Sequence, residues 1–131
     1  MAIQDIKAIA RRLVEAHGRH DVQAVREILA PRLVWHMVGV PKSMGRDDYL
    51  EGMQEGMAAF SDMAIEGEQE GAEGDRVAQR WSVRMRHTGD FQGIPASNRT
   101  VAFSSVWFYR IVDNQIVEAW SMDQDFTGML K

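Results

Sequence analysis

Cysteine is absent from this 131-residue chain, which excludes disulfides, thiol catalysis and cysteine-ligated metal sites. Long apolar runs are absent too, because no stretch approaches the ~18 apolar residues that span a bilayer. The N-terminal segment carries Lys7, Arg11 and Arg12 within an amphipathic pattern, and it lacks the continuous apolar stretch of a signal peptide. We therefore expect a cytoplasmic protein.

Neither sign of charge dominates the sequence. It has 15 Lys and Arg against 19 Asp and Glu, for a net charge of −4, so neither nucleic acid nor a membrane is expected as a partner. Hydrophobic residues make up 45% and charged residues 26% of the chain, as is typical of soluble globular proteins. The length suits one domain over residues 1–131.

The first half of the chain has mainly helical periodicity. Apolar residues recur at helical spacing over residues 2–17. Asp21 is expected to cap a short second helix that Pro31 ends, and a strand is predicted over residues 33–38. Asp47 is expected to cap a third helix, whose apolar positions are Tyr49, Leu50, Met53, Met57 and Phe60.

After residue 61 the period of the apolar pattern changes to two, which is typical of strands. A run of helices followed by an antiparallel meander predicts the α+β class, with three helices on one face of a curved sheet. The predicted strands cover residues 63–72, 76–88, 100–112 and 115–124.

Alternation along the strand over residues 76–88 predicts which of its faces is buried. Glu68 would lie opposite Arg80, and Asp62 opposite Arg86, so that opposite charges pair across the strands. The arginine face should then point outward and the His87 face inward. The inward face would also hold Trp81 and Met85.

The last two strands form a hairpin in this interpretation. Asp113-Asn114 suits a two-residue turn with positive φ at both positions. Without a bulge, the predicted pairs are Ile111 with Ile116, Trp107 with Trp120, and Ser104 with Asp123.

That register divides the hairpin into two apolar faces. One face holds Ser104, Phe108 and Asp123, and we expect it to line a pocket. The other holds Trp107 and Trp120. Because three helices can cover only one face of the sheet, the second face would be a large exposed apolar patch. We therefore expect a homodimer through the outer sheet face, at Trp107 and Trp120.

The segment from His87 to Asp123 resembles the SnoaL-like polyketide cyclases of the NTF2-like superfamily. Those proteins carry a His-x-Gly-x-Phe-x-Gly-x-Pro run, a basic residue before a strand, an Arg-x-x-Asp-x-x-Ile-x-Glu-x-Trp hairpin and a following aspartate. The matching residues are His87, Gly89, Phe91, Gly93, Pro95, Arg99, Arg110, Asp113, Ile116, Glu118, Trp120 and Asp123. The family's usual Pro-Thr-Gly is replaced by Pro95-Ala96-Ser97-Asn98.

The resemblance implies a cone-shaped fold in which a strongly curved antiparallel sheet and three N-terminal helices enclose an apolar pocket. In the family's cyclases a pocket aspartate removes a proton from a carbon between carbonyl groups, and the enolate closes a ring by an intramolecular aldol reaction. No cofactor or metal is used. Carried over, the aspartate is Asp123 and the assisting histidine is His87.

Each of these two residues also has a simpler interpretation. Burial of Asp123 among apolar groups would raise its pKa and make it a base at neutral pH, but a strand-end aspartate can instead cap a turn or pair with an arginine. His87 could donate a hydrogen bond to an enolate oxygen or relay a proton. It could equally be a strand-end histidine hydrogen-bonded to loop backbone.

The predicted substrate-binding residues come from several elements. Trp81 and Met85 are the favoured walls, since they can stack on an aromatic ligand. His36 could line the pocket, or be a surface or core histidine. His17 and His20 are expected to be exposed to solvent. The four histidines of the chain are not spaced like metal ligands, so no metal site is expected. The remaining expected contacts are Met53, Met57, Ser104 and Phe108.

Two functions remain open at this point. One is a cofactor-free enzyme that abstracts a proton from a small apolar carbonyl substrate, with aldol cyclisation ahead of isomerisation or hydration. An epoxide hydrolase or a ketosteroid isomerase is less favoured, because no second inward carboxylate and no inward tyrosine on the first helix are identified. The other function is a dimer that binds a small apolar ligand without chemistry.

Overall fold

The computed structural model describes residues 2–131. The helices in that range are α1 (Ile3–Gly18), α2 (Val22–Ile28) and α3 (Arg46–Ala59). The strands are β1 (Leu29–Met37), β2 (Phe60–Glu73), β3 (Arg76–His87), β4 (Thr100–Val112) and β5 (Gln115–Asp123). A 3₁₀ turn over Thr127–Leu130 lies near the C-terminus.

The three helices pack on a curved five-stranded sheet, so the predicted α+β architecture is confirmed. The strand order is β1-β5-β4-β3-β2, in which β1 runs parallel to β5 and the other neighbours are antiparallel. Within residues 2–131, no helix combines the length and apolar character needed to cross a membrane.

The first two helices follow the predicted pattern with one correction. The Asp21 carboxylate accepts a hydrogen bond of 3.0 Å from the backbone N–H of Ala24, as expected of a helix cap. However, α2 already ends at Ile28, and Pro31 lies within β1, where its restricted φ suits extended backbone. In α1 the buried side chains recur at helical spacing and are Ile6, Ile9, Ala10, Leu13, Val14 and Ala16.

The predicted cap of α3 is wrong. The helix begins at Arg46, so Asp47 lies inside its first turn. Asp48 stabilises the N-terminus of α3 instead, because its Oδ2 accepts a hydrogen bond of 2.8 Å from the Gly45 N–H. Tyr49 in this first turn is 5% exposed and packs between α3 and the sheet.

Cross-strand charge pairs lie on the outer face of β2 and β3, as predicted. The Nη2 atom of Arg80 lies 2.7 Å from Oε2 of Glu68, and Nη2 of Arg86 lies 3.0 Å from Oδ2 of Asp62. Because β2 has two bulges, the residues of each charge pair are not direct partners in the β2–β3 ladder. The alternate positions of β3 point inward, and His87 at its end is fully buried.

The β4–β5 hairpin has the predicted turn but a different register beyond it. Asp113 and Asn114 have φ values of 51° and 65°, and Ile111 pairs with Ile116. A bulge next to this pair then places one additional residue, Val117, in β5. Since side chains alternate between faces, one extra residue reverses the relative facing of the two strands.

The face assignment predicted for β4 is therefore wrong. Trp107 pairs with Ser121 and is 6% exposed, so it points into the core. Phe108 pairs with Trp120 and is 52% exposed, so it lies on the outer face. The expected dimer face at Trp107 and Trp120 does not exist as a single face. The outer apolar residues of the hairpin are Val106, Phe108, Trp120 and Met122.

Candidate active site

A cavity of about 310 Å³ lies between α3 and the inner face of the sheet. Its walls are mainly aromatic rings, methionines and other apolar side chains, with few polar groups among them. Charged residues in the lining are limited to Glu55 and Asp123, together with the titratable His17. The aromatic lining residues are Trp35, Tyr49, Phe60, Trp81, Phe91, Phe103, Trp107 and Phe126.

Three tryptophans form one wall of the cavity. The Trp107 ring stacks on Trp35 at a centroid distance of 5.8 Å and on Trp81 at 5.5 Å. Tyr49 from α3 meets this wall edge-on, 5.2 Å from Trp35 and 5.8 Å from Trp107. Rings that support one another in this way have little rotational freedom, so they offer a rigid surface for a flat ligand.

Phenylalanines form another part of the wall, near the C-terminus. Phe126 stacks on Phe103 at 4.5 Å and on Phe91 at 5.7 Å. Leu130, in the following 3₁₀ turn, is fully buried against the same cluster. The segment after β5 is thus held against the sheet, and it contributes Phe126 to the cavity.

Asp123 is the last residue of β5, and its side chain is part of the cavity lining. The buried Ser105 hydroxyl donates a hydrogen bond of 2.5 Å to its Oδ1. The residue itself is exposed, so the expectation that Asp123 is sheltered among apolar groups is wrong. The reason is its position at the end of β5, where the chain leaves the sheet. Asp123 is thus an oriented carboxylate that both solvent and the cavity can reach.

His87 is fully buried but does not belong to the cavity lining. Its Nδ1 accepts a 3.2 Å hydrogen bond from the Ser97 N–H, and the Ser97 hydroxyl lies 3.0 Å from the same nitrogen. Its backbone bonds to Asn98 and Arg99. Phe60, which does line the cavity, packs on the imidazole at 5.4 Å. The structure thus places His87 where it holds the 95–99 loop, as the simpler interpretation proposed, and outside the cavity lining.

Other predicted contacts divide between the cavity lining and the outer face of the sheet. The four that lie in the cavity lining are Met53, Met57, Trp81 and Met85. Ser104 and Phe108 lie on the outer face, because the hairpin bulge reverses the facing of β4. His36 is also outside, where its Nε2 donates to Glu118 Oε2 over 2.9 Å and its ring stacks on Trp120. These three residues are therefore not pocket residues.

A hydrogen-bonded pair inside the cavity was missed by the sequence interpretation. The Nε2 of His17 and the hydroxyl of Tyr49 share a hydrogen bond of 2.7 Å, and both residues belong to the lining. The His17 ring also lies edge-on to Trp81 at 5.1 Å. Its helical spacing from Leu13 was the available signal, since residues four apart share a helix face.

Burial changes the ionisation of this pair. It lowers the pKa of His17 to about 4, with a further contribution from the charge of His20. Burial also raises the pKa of Tyr49, and the negative charge of Asp123 adds to that increase. Both groups are therefore neutral near pH 7.

Among residues 2–131, no three histidine, aspartate or glutamate side chains are grouped so that they could hold a metal ion.

Solved structures share this fold over nearly the whole chain. AclR from Streptomyces galilaeus, a proposed hydroxylase, has a TM-score of 0.89 and 28% identity, with 98% of this chain and 80% of that chain covered. IdmH from Streptomyces antibioticus, a proposed polyketide cyclase, has a TM-score of 0.85 and 27% identity, with 95% of each chain covered.

A more distant similarity shows the fold alone. An LEH-like epoxide hydrolase from M. tuberculosis has a TM-score of 0.73 at 14% identity, with 93% of this chain and 84% of that chain covered. No curated protein matches the sequence significantly.

The sequence itself identifies the family. The model of the SnoaL-like polyketide cyclases matches residues 7–130, which includes all three helices beyond the first turn of α1 and the complete sheet. The chain therefore belongs to the SnoaL-like polyketide cyclase family.

Proposed function

We propose that the protein is a cofactor-free enzyme of the polyketide cyclase type. Asp123 removes a proton from a carbon next to a carbonyl group of an apolar substrate, and the enolate attacks a second carbonyl of the same molecule to close a ring. The alkoxide that forms then takes the proton back from Asp123. The single observation that carries this proposal is the oriented carboxylate of Asp123 at the edge of an aromatic cavity.

The geometry of Asp123 suits a general base. Ser105 occupies Oδ1, which leaves Oδ2 to accept the substrate proton. A general base needs to lie within hydrogen-bond reach of the proton it takes, and the Ser105 bond limits rotation of the carboxylate. A substrate that fills the cavity would also displace water from Asp123, and a desolvated carboxylate is a stronger base.

The cavity matches a small, flat, mostly apolar substrate. Its volume of about 310 Å³ lies at the lower end of the range for small-molecule sites. The tryptophan wall offers ring faces for stacking, and the Met53, Met57 and Met85 side chains adapt readily to irregular shapes. Similarity to a proposed cyclase, IdmH, at 27% identity supports the same substrate class.

Exchange of deuterium into a model ketone tests the proposal. The apolar bicyclic ketone 2-tetralone is incubated with the protein in D₂O, and loss of its α-proton signals is followed by proton NMR. Wild-type protein should accelerate the exchange, and Asp123→Asn should lose at least about 100-fold of that acceleration, since general-base catalysis contributes roughly 10²–10⁴-fold. An Asp123→Asn variant as fast as wild type would contradict the role of Asp123.

A non-catalytic binding protein is the second candidate. The observation that favours it is the position of His87, which leaves Asp123 without the histidine partner that the family resemblance implies. In that case the wild-type protein would bind 2-tetralone without accelerating exchange.

We also propose that two copies associate through the outer face of the sheet. Phe108 is 52% and Met122 is 54% exposed there, with Trp120 between them. Val34 on the adjacent part of β1 is 39% exposed. An apolar patch of this kind is unfavourable in water and is typical of interfaces.

A further inference from the structure

We propose that Tyr49, positioned by His17, donates a hydrogen bond to a carbonyl oxygen of the ligand in the cavity. Tyr49 would then be a second polar contact of the site, carried by α3, whereas Asp123 is carried by β5. The proposal deepens the proposed function and takes from it only that the ligand is a carbonyl compound.

In one of the two neutral tautomers of His17, the pair leaves the Tyr49 hydroxyl as a donor for a ligand. A neutral imidazole has one N–H donor and one acceptor nitrogen, whereas a phenol can donate one hydrogen bond and accept others. When the His17 proton is on Nε2, the 2.7 Å bond is donated to the Tyr49 oxygen. The Tyr49 proton is then free, and within residues 2–131 the hydroxyl makes no hydrogen bond other than that to His17.

The position of Tyr49 is set by rigid neighbours. Its ring is 5% exposed and lies edge-on to both Trp35 and Trp107. A buried hydroxyl held in this way does not need to reorganise when a ligand oxygen arrives, which is the property that makes such donors effective. In the tautomer with the proton on Nε2, donation from His17 also polarises the Tyr49 O–H, because hydrogen bonds in a chain strengthen one another.

The charges in the lining favour an uncharged oxygen over a carboxylate or phosphate. Among residues 2–131, no lysine or arginine belongs to the lining, whereas Glu55 and Asp123 do. His17 does not supply a positive charge near pH 7, because burial lowers its pKa to about 4. An anionic ligand would therefore meet like charges and no counterion. The ligand class that fits is a neutral, flat molecule that carries a ketone, aldehyde or quinone oxygen.

A pair of matched probes tests the hydrogen bond directly. The probe 2-acetonaphthone carries a carbonyl group, and 2-ethylnaphthalene has nearly the same shape without the oxygen. Dissociation constants of both are measured by quenching of tryptophan fluorescence in wild type and in Tyr49→Phe, which removes only the hydroxyl. We expect Tyr49→Phe to weaken binding of 2-acetonaphthone by about fivefold to tenfold, as for loss of one hydrogen bond, and to leave 2-ethylnaphthalene within about twofold.

Three outcomes would overturn the proposal. One is an equal loss of affinity for both probes, since that would show a structural role for the hydroxyl. Another is an unchanged affinity for 2-acetonaphthone in Tyr49→Phe. The third is the absence of saturable binding of 2-acetonaphthone by the wild-type protein.

The contribution of His17 is tested by the same ratio of affinities. His17→Leu removes the hydrogen-bond partner, and His17→Gln keeps an N–H donor on a side chain of related length. We expect His17→Leu to reduce the preference for the carbonyl probe by about twofold to threefold, and His17→Gln to restore it. Equal preferences in all three proteins would exclude a positioning role for His17.

The proposed function and this inference fail separately. Carbonyl preference that depends on Tyr49, without exchange of 2-tetralone, would remove the enzyme proposal and leave the binding contact. Exchange of 2-tetralone that depends on Asp123, together with equal binding of both probes to wild type and Tyr49→Phe, would support the enzyme proposal and remove the Tyr49 contact.

Discussion

Ser105 donates a 2.5 Å hydrogen bond to Asp123 from the neighbouring strand, and the two residues are direct partners in the β4–β5 ladder. The pairing depends on the bulge next to Ile111, because without it Asp123 would face Ser104. Ser105 lies on the inner face and is 2% exposed, whereas Ser104 is exposed on the outer face. The bulge therefore decides which of two adjacent serines orients the proposed base.

Replacement of Ser105 should impair Asp123 without unfolding the protein. In Ser105→Ala the carboxylate loses the bond that limits its rotation, and we expect the accelerated exchange of 2-tetralone to fall about fivefold to tenfold, as for loss of one hydrogen bond. Proton NMR in D₂O measures the rate. Ser104→Ala is the matched control and should exchange as wild type does. Equal rates in wild type and Ser105→Ala would show that the bond does not assist catalysis.

A methyl group at Gly89 should destabilise the fold. A Cβ atom added there would lie 2.4 Å from the Ala58 carbonyl oxygen at the end of α3, and the Gly89 N–H bonds to the Ala59 oxygen at 2.9 Å. We expect Gly89→Ala to lower the free energy of unfolding by about 1–3 kcal/mol, as is usual for overpacking. Urea denaturation gives the value.

The control for this prediction is Gly71→Ala in β2, where an added Cβ would meet nothing within 4 Å. Its free energy of unfolding should stay within about 1 kcal/mol of wild type. If both variants were equally stable, close approach of backbone at Gly89 would not explain the glycine in the family motif.

Acid should weaken the folded state through His17. Burial, aided by the charge of His20, lowers its folded pKa from 6.5 to about 4. Between those pH values the unfolded chain binds a proton that the folded chain does not, so the free energy of unfolding rises with pH through this window. The contribution of His17 should be lost as pH falls from about 6.5 to 4 and amount to about 1–3 kcal/mol.

Urea denaturation at pH 7 and pH 4.5 measures this effect, with His17→Gln as the comparison because glutamine does not titrate. The difference in unfolding free energy between the two pH values should be smaller in His17→Gln than in wild type. An identical pH dependence in the two proteins would contradict the burial of a neutral His17.

A charge on the outer face of the sheet should dissociate the proposed dimer. Phe108→Asp places a carboxylate among Trp120 and Met122, and desolvation of that carboxylate would oppose association. Light scattering at micromolar concentration should give a dimer for wild type and a monomer for Phe108→Asp. Ile3→Asp, at a residue on α1 that is 43% exposed, should remain dimeric. A monomeric wild type would remove the proposal.

Much of the architecture follows from local patterns. Helical spacing of apolar residues located α1 and α3, and alternation located the long strands, because a chain must place its apolar side chains on one face of each element. Asp113-Asn114 defined its turn because few residue pairs accept positive φ at both positions. Charge pairing on β2 and β3 correctly placed His87 on the inner face.

The site was predicted less well than the fold. His17 was interpreted as solvated because it lies next to the end of α1, whereas its contacts with Tyr49 and Trp81 place it in the cavity lining. Alternation along the strands was the reason for assigning three residues to the pocket: Ser104, Phe108 and His36. Alternation does not show where a bulge reverses the facing of a strand, which misplaced Ser104 and Phe108. It also does not show which side of β1 meets the helices, which misplaced His36.

The sequence by itself determined the order of helices and strands, the tight turn of the last hairpin and the family, because these depend on local periodicity and on residues at fixed spacing. Only the tertiary structure decided which side chains meet. In that structure Asp123 is exposed at the end of β5, and His87 is buried against Phe60. His17 is hydrogen-bonded to Tyr49, which lies 32 positions away in the sequence. The physical reason is that such contacts depend on the curvature of the sheet, its bulges and the packing of helices, which arise from the whole chain at once.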